Sequence, residues 1–364
     1  MSRIAIIDAA IDNRYIGGKQ IEFYDLCGDD LHDDANAVSH GTVCAAVLDF
    51  CAGDYELINI RMLGSSDSKV FGEIDLLAKA LNLCMELKVD VVSLSAVSSI
   101  LSDSKKLFNI TRELSKQASI VSALDNRLFV TVPTSYPHVL GVRNDNLEAL
   151  NPGGLAYRAL DPFSANIFAN CNFPFLREMR RHPSNSFAVP VVAAHINDLL
   201  NCGIAHDEIG TALQNLKEYP QNDGIDGFAL SENSEDREIP VIFIEDGGNE
   251  LCCEVMDELF SSHEVQSAAL SFTEGAYDVR VRRIADTGSL AGALRFLERH
   301  YKTDIAFIIG KSGISEEIRK AIDIDVEVSF TSSGEAVLSY ENTKEKTQRS
   351  NIAKRLHDIL TADD

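Results

Sequence analysis

The chain has 364 residues, of which 45% are hydrophobic, so it is long enough for two domains and apolar enough to bury a core in each. Its 56 acidic residues outnumber 33 Lys and Arg residues, and the net charge of -23 argues against nucleic acid or an anionic membrane surface as the main partner. The sequence also lacks the ~18 uninterrupted apolar residues of a membrane-spanning helix.

The first two hundred residues alternate short apolar runs with longer segments of helical period. This alternation predicts an α/β fold in which helices cover a parallel sheet. The predicted strands are 4–7, 55–61, 90–94, 119–123 and 139–143, and the predicted helices are 40–50, 72–87, 103–115, 187–202 and 206–216.

Residues 223–238 are rich in acids and turn formers, and we interpret them as an acidic linker. The linker separates a first domain, residues 1–222, from a second, residues 239–364. The alternation restarts in the second domain and predicts a smaller α/β fold. A final helical segment either packs on this domain or is solvated. The predicted strands are 241–245, 265–272 and 304–309, and the predicted helices are 250–260, 289–300 and 352–360.

The second domain contains the string Gly310-Lys311-Ser312, which invites comparison with a phosphate-binding loop. Such a loop needs another glycine with four residues between it and Gly310, and that position holds Ile305. The glycines therefore predict tight turns, and we assign no cofactor. A role in binding a protein partner or in self-association is the hypothesis for this domain.

The eight cysteines form no CxxC pair and have no zinc-ligand spacing with histidine. Most stand beside apolar residues, which is typical of free, buried cysteine and favours a reducing compartment over a secreted disulfide scaffold. The apolar run in MSRIAIIDAA is far too short for a signal peptide. We therefore expect a soluble cytoplasmic protein without a membrane partner.

Four separated segments carry groups that could act together on a peptide bond. Asp8 ends a predicted strand, His40 lies in the first turn of a predicted helix, Asn126 follows another strand, and Ser186 begins a long apolar helix. Carboxyl ends of parallel strands share one edge of a sheet, where ligands usually bind. Acyl transfer needs a nucleophile, a base, an acid that orients the base, and oxyanion donors.

The order of these residues and their local motifs resemble the subtilisin-like serine protease family, over roughly residues 1–220. His40-Gly41-Thr42 is similar to the family's His-Gly-Thr box, and the segment from Ser186 to Pro190 is similar to its Ser-x-Ala-x-Pro box. The resemblance implies a subtilisin-like three-layer fold with a parallel sheet and a catalytic triad without metal or cofactor. It assigns nucleophile, base and orienting acid to Ser186, His40 and Asp8, and the oxyanion donors to Asn126 and the Ser186 N–H.

The resemblance also implies a substrate groove along Ser93, Leu94 and Ser95, with Asp125 beside the pocket for the residue before the scissile bond. Asp125 could favour a basic residue there, although an exposed loop aspartate is the simpler interpretation. The chain departs from the family at Asp125, where glycine is common, and at three further pairs. These are Ala9-Ala10, Ser95-Ala96 and Ser184-Asn185, which replace hydroxyl residues or glycines of the family boxes.

Two functions remain open on this sequence. One is a serine endopeptidase that cleaves a peptide or precursor inside the cell, as in peptide maturation. The other is a catalytically inactive subtilisin-like scaffold that binds a peptide or partner protein, because fold does not guarantee activity. Asp8 lies so close to Met1 that we expect no N-terminal propeptide. The acids Asp25, Asp29, Asp30, Asp33 and Asp34 could bind calcium, but surface acid is the default interpretation, and no metal site is predicted.

Overall fold

The computed structural model describes residues 1–27, 38–63, 74–220 and 238–362. The chain divides into two compact units, residues 1–99 with 103–223 and residues 224–364 with 100–102. The linker predicted at 223–238 and the acids 29–34 fall almost wholly outside the described residues, so both interpretations stay predictions. Within the described ranges, no helix has the length and apolar character needed to cross a bilayer.

The first unit is built on an eight-stranded sheet with the order β2-β3-β1-β4-β5-β6-β8-β7. Only β7 runs antiparallel to its neighbour in this sheet. The strands are β1 Ser2–Asp8, β2 Ile21–Asp25, β3 Tyr55–Arg61, β4 Val91–Leu94, β5 Ser119–Ala123, β6 Leu140–Asn144, β7 Leu155–Tyr157 and β8 Ile167–Ala169. The α-helices are α1 His40–Cys51, α2 Ile74–Glu86, α3 Ser104–Leu114, α4 Pro174–Glu178, α5 Asn185–Asn201 and α6 Ile209–Gln214.

Strand β1 shows that both faces of this sheet are covered. Ile4 and Ile6 point to one face and Ala5 and Ile7 to the other, and none of the four is more than 1% exposed. A strand buried on both faces needs a continuous apolar run, which is what the sequence has here. The predicted α/β class with a parallel sheet is therefore confirmed: the first unit has three layers, with a largely parallel sheet between helices.

Helices α1 and α5 pack on the face of the sheet that carries Ile4 and Ile6. The close approach of α1 depends on Gly41, because a Cβ atom there would lie 2.2 Å from the carbonyl oxygen of Ala9. Small residues after His40 thus bring the start of α1 directly against the end of β1. This contact places the histidine beside the last residue of the strand.

Several predicted boundaries differ from the structure. The helix predicted from 187 begins at Asn185, so Ser186 lies inside its first turn. The helix predicted at 206–216 is a 3-10 turn, His206–Glu208, followed by α6. Strand β2 was not predicted, because its residues are mostly half-exposed or exposed at the edge of the sheet and its sequence carries acids.

The second unit is also α/β, with a seven-stranded sheet in the order β11-β10-β12-β9-β13-β14-β15. The first five strands are parallel, and β14 and β15 add an antiparallel ribbon that the sequence pattern did not predict. The last helix packs on the unit through buried Ile352, Ala353 and Leu356. The strands are β9 Val241–Glu245, β10 Ser267–Ser271, β11 Val281–Arg283, β12 Ile305–Gly310, β13 Val326–Phe330, β14 Ala336–Tyr340 and β15 Thr343–Thr347. The α-helices are α7 Gly248–His263, α8 Leu290–His300, α9 Ser315–Ala321 and α10 Ile352–Leu360.

Candidate active site

Asp8 and His40 meet at the carboxyl edge of the first sheet. Asp8 ends β1 and is fully buried, and its two carboxylate oxygens lie 2.8 and 3.0 Å from Nδ1 of His40. Ser39 caps α1 by accepting a hydrogen bond from the Thr42 N–H at 3.0 Å, which starts the helix at His40. A carboxylate can only accept, so the His40 proton lies on Nδ1 and Nε2 is left to act as a base.

The environment of His40 raises the pKa of its imidazole. Burial is the largest single effect and lowers this pKa, but the charge of Asp8, the Cys44 sulfur and the hydrogen bonds to both together hold the pKa well above the usual 6.5. The ring also stacks on Phe187, with centroids 5.0 Å apart and planes inclined by 27°. Charge and packing together hold a basic imidazole in one orientation next to the first turn of α5.

Ser186 occupies that first turn and is half-buried. Cys44, one turn after His40 on α1, lies between the two residues: its sulfur is 3.7 Å from His40 Nδ1 and 3.9 Å from the Ser186 carbonyl oxygen. In the part of the chain that the structure describes, neither the hydroxyl nor the backbone N–H of Ser186 has a hydrogen-bond partner. Both groups are therefore available to a ligand, and the described structure shows no hydrogen bond between Ser186 and His40.

The carbonyl of Ser186 is released from the helix by Pro190. An α-helix would pair this carbonyl with the N–H four residues later, and proline has none. Pro190 therefore lies in the interior of α5, beyond the first turn whose N–H groups have no partner in the helix. The hydroxyl of Ser95 donates to the freed carbonyl at 3.2 Å, and the Cys44 thiol donates at 3.9 Å. Sequence reasoning missed this role of Cys44.

The Asn126 side chain has its amide oriented by a backbone group. Its Oδ1 accepts a hydrogen bond from the Asn185 N–H at 2.9 Å, so its Nδ2 is the end left free to donate. Asn126 is exposed, and the residue after Asn185 is Ser186 with its unpaired N–H. A side-chain amide and a helix N-terminal N–H that lie close together are the kind of donors that can bind an oxyanion.

Replacement of Asn126 by alanine should lower kcat by ~10²-fold or more, with little change in KM. This magnitude is established for subtilisin and is applied here because the same kind of donor is removed. Steady-state kinetics on a cleaved peptide would measure the effect, with Asn215→Ala as control because Asn215 is an exposed residue at the end of α6. A loss below tenfold would show that Asn126 does not contact the oxyanion.

The structure narrows the predicted substrate groove. Ser93 and Leu94 lie within β4, which pairs with β1 on one side and β5 on the other, and they are at most 1% exposed. A buried strand with both edges paired has no backbone group left for a peptide. Ser95 follows the strand and is half-exposed, but its hydroxyl is used on the Ser186 carbonyl. Only the backbone from Ser95 onward can border a groove.

Asp125 forms a local turn with Arg127. Its carboxylate accepts from the Arg127 N–H at 2.7 Å and from the Arg127 guanidinium at 3.3 Å. The carboxylate is thus already paired with its neighbour, which favours the interpretation as a loop aspartate over a binding site for a basic side chain.

Asp8, His40 and Cys44 are also the residues most suited to a metal in the described ranges, since their ligand atoms lie within 4.8 Å of one another. The carboxylate and imidazole are bonded to each other, however, and burial raises the pKa of the Cys44 thiol, whereas metals bind the thiolate. The arrangement therefore fits an acid–base pair with a packed thiol, and we assign it no metal.

No protein-family model matches the chain, and no curated protein matches it. Solved structures that resemble it include the prenylagaramide maturation protease PagA, with 15% identity and a TM-score of 0.36 over 65% of this chain and 84% of that chain. A lanthipeptide protease shares 14% identity with a TM-score of 0.43 over 58% of this chain and 79% of its own. Pseudomonas sedolisin, a serine-carboxyl proteinase, shares 11% identity with a TM-score of 0.35 over 59% of this chain and 80% of its own. These values are too low to assign the chain to a family.

Proposed function

We propose that this protein is a serine endopeptidase of the subtilisin-like family. The observation that carries the proposal is the buried Asp8 carboxylate 2.8 Å from Nδ1 of His40, beside the helix turn that presents Ser186. An acid that fixes the tautomer, a base of raised pKa, a hydroxyl and two unpaired oxyanion donors are the complete set of parts for acyl transfer.

The mechanism follows from these parts. Ser186 Oγ attacks the carbonyl carbon of the scissile bond while His40 Nε2 takes the hydroxyl proton, and the charged oxygen is held by Asn126 Nδ2 and the Ser186 N–H. Collapse of the tetrahedral intermediate breaks the C–N bond, and His40 returns the proton to the leaving amine. Water, deprotonated by His40, then hydrolyses the acyl-enzyme and restores Ser186. Asp8 stabilises the imidazolium in both steps.

We propose a peptide or a protein precursor as substrate, bound along the backbone that follows β4. This backbone is half-exposed, and Ser98 fixes its far end by pairing its N–H and C=O with Val132, both at 2.9 Å. Cysteines 44, 51, 84, 171, 202, 252 and 253 form no disulfide, in agreement with a reducing compartment such as the cytoplasm. Binding of a protein partner or of a second copy remains our proposal for the second unit.

A fluorophosphonate probe tests this function, because only an activated serine reacts with it. We expect stoichiometric labelling of the wild type and none of Ser186→Ala, with Ser184→Ala, two residues away, as control. Mass spectrometry of peptides incubated with the same three proteins should show cleavage that Ser186→Ala lacks. An unlabelled wild type that still binds peptides would support the inactive scaffold instead, in which the unbonded Ser186 hydroxyl is simply not activated.

A further inference from the structure

Asn185, the residue before Ser186, is a polar side chain that is only 4% exposed. Its amide is bonded at both ends. Nδ2 donates to the carbonyl oxygens of Leu124 at 3.0 Å and of Asp125 at 3.3 Å, and Oδ1 accepts from the Asn144 N–H at 2.8 Å. The side chain therefore connects the ends of β5 and β6 to the first turn of α5.

The backbone of Asn185 contacts the same loop from the other side. Its N–H donates to Oδ1 of Asn126 at 2.9 Å. The Asn185 side chain thus bonds the carbonyls of the two residues before Asn126. The Asn185 backbone N–H bonds the side chain of Asn126 itself. Without these bonds an exposed amide such as Asn126 would be free to rotate, and its donor would not be held toward the oxyanion.

The chemistry of the amide suits the groups that surround Asn185. An amide has two protons on one end and an acceptor on the other, so it can bond two strand ends that lie in opposite directions. A Ser or Thr hydroxyl has a single proton to donate. Asn185 is therefore matched to the carbonyls and the N–H that surround it in this chain.

We propose that Asn185 is a positioning residue that holds Asn126 Nδ2 and the Ser186 N–H together as one pair of oxyanion donors. This inference rests on the proposed protease function. Asn185→Ala should lower kcat by about tenfold to 100-fold with a smaller change in KM, because a donor displaced by ~1 Å loses most of its effect on the transition state. A loss of stability alone would not lower kcat of the folded enzyme while leaving KM nearly unchanged.

A double-mutant cycle tests the coupling. Asn126→Ala should cost ~10²-fold in kcat in the wild type but less than tenfold in the Asn185→Ala background, because the donor is already misplaced there. Asn170→Ala is the matched background: Asn170 is also 4% exposed and bonded at both ends, to Leu150 and Asn172. In that background Asn126→Ala should keep its full cost. If Asn126→Ala lowered kcat equally in the wild type, in Asn185→Ala and in Asn170→Ala, the proposal would be overturned.

A second measurement does not need activity. The side-chain amide of Asn126, identified by the NMR signal that Asn126→Ala removes from asparagine-labelled protein, should shift in Asn185→Ala and stay in place in Asn170→Ala. An unchanged signal in Asn185→Ala would overturn the positioning role even if the wild type proves unreactive with fluorophosphonate, which is a separate failure of the proposed function. If the alanine variant does not fold, Asn185→Asp replaces it, since aspartate keeps the shape and the acceptor but loses both donors.

Discussion

His40→Ala should lower kcat by on the order of 10⁶-fold, the loss that removal of the base causes in subtilisin. His40 is the imidazole that Asp8 orients, and without it no group bonded to the buried carboxylate can take the proton of Ser186. The oxyanion donors would remain, so a small residual rate above that of water is expected. Kinetics on a chromogenic peptide and the rate of fluorophosphonate labelling would both show the loss.

The control for this variant is His182→Ala. His182 is exposed and lies four residues before Ser186, so it is close to the nucleophile in sequence and has no contact with Asp8 in the described structure. Its replacement should leave kcat within about twofold, as is usual for an exposed surface residue. If His40→Ala kept more than about 1% of the activity, the base would have to be another group and the triad would be wrongly assigned.

Asp8→Asn should lower kcat by about 10⁴-fold, as the equivalent change does in serine protease triads, because an amide presents a donor to Nδ1 and selects the wrong tautomer. The variant should also change the pH dependence. Burial lowers the pKa of His40, but the Asp8 charge together with the Cys44 sulfur raises it above 6.5, so the wild type should gain activity with rising pH at a midpoint above 6.5. In Asp8→Asn the charge is gone and this midpoint should fall.

Stability should follow the same linkage with a defined sign. Because the pKa of His40 is higher in the folded state than in the unfolded chain, its pairing with Asp8 stabilises the fold fully below the unfolded value of 6.5. That contribution is lost as the pH rises through the folded pKa. Urea unfolding of the wild type and of Asp8→Asn on both sides of this range would detect it, with Glu86→Gln as control because Glu86 is an exposed acid at the end of α2. If the pH–activity midpoint of the wild type lay at or below 6.5, the assignment of His40 as the base paired with Asp8 would be contradicted.

Much of the first unit could be predicted from local sequence. Strands β3 and β5 were predicted with their observed bounds, because residues 55–61 and 119–123 are apolar runs flanked by turn formers. The pairing of Asp8 with His40 follows from two local facts, a strand that ends in a carboxylate and a helix that starts at a histidine, joined by Gly41 at their contact. Strand β15 was missed, because it is a charged edge strand without a buried apolar face.

The sequence by itself determined the order of the chemical groups, the alternation of strands and helices, and the edge of the sheet at which those groups would lie. Only the tertiary structure decided that Ser93 and Leu94 are buried, that Ser95 bonds the carbonyl freed by Pro190, and that Asn185 joins the ends of β5 and β6 to α5. Local periodicity specifies which face of an element is apolar. Hydrogen bonds between residues sixty or ninety positions apart depend on how those elements pack, and no local pattern encodes that.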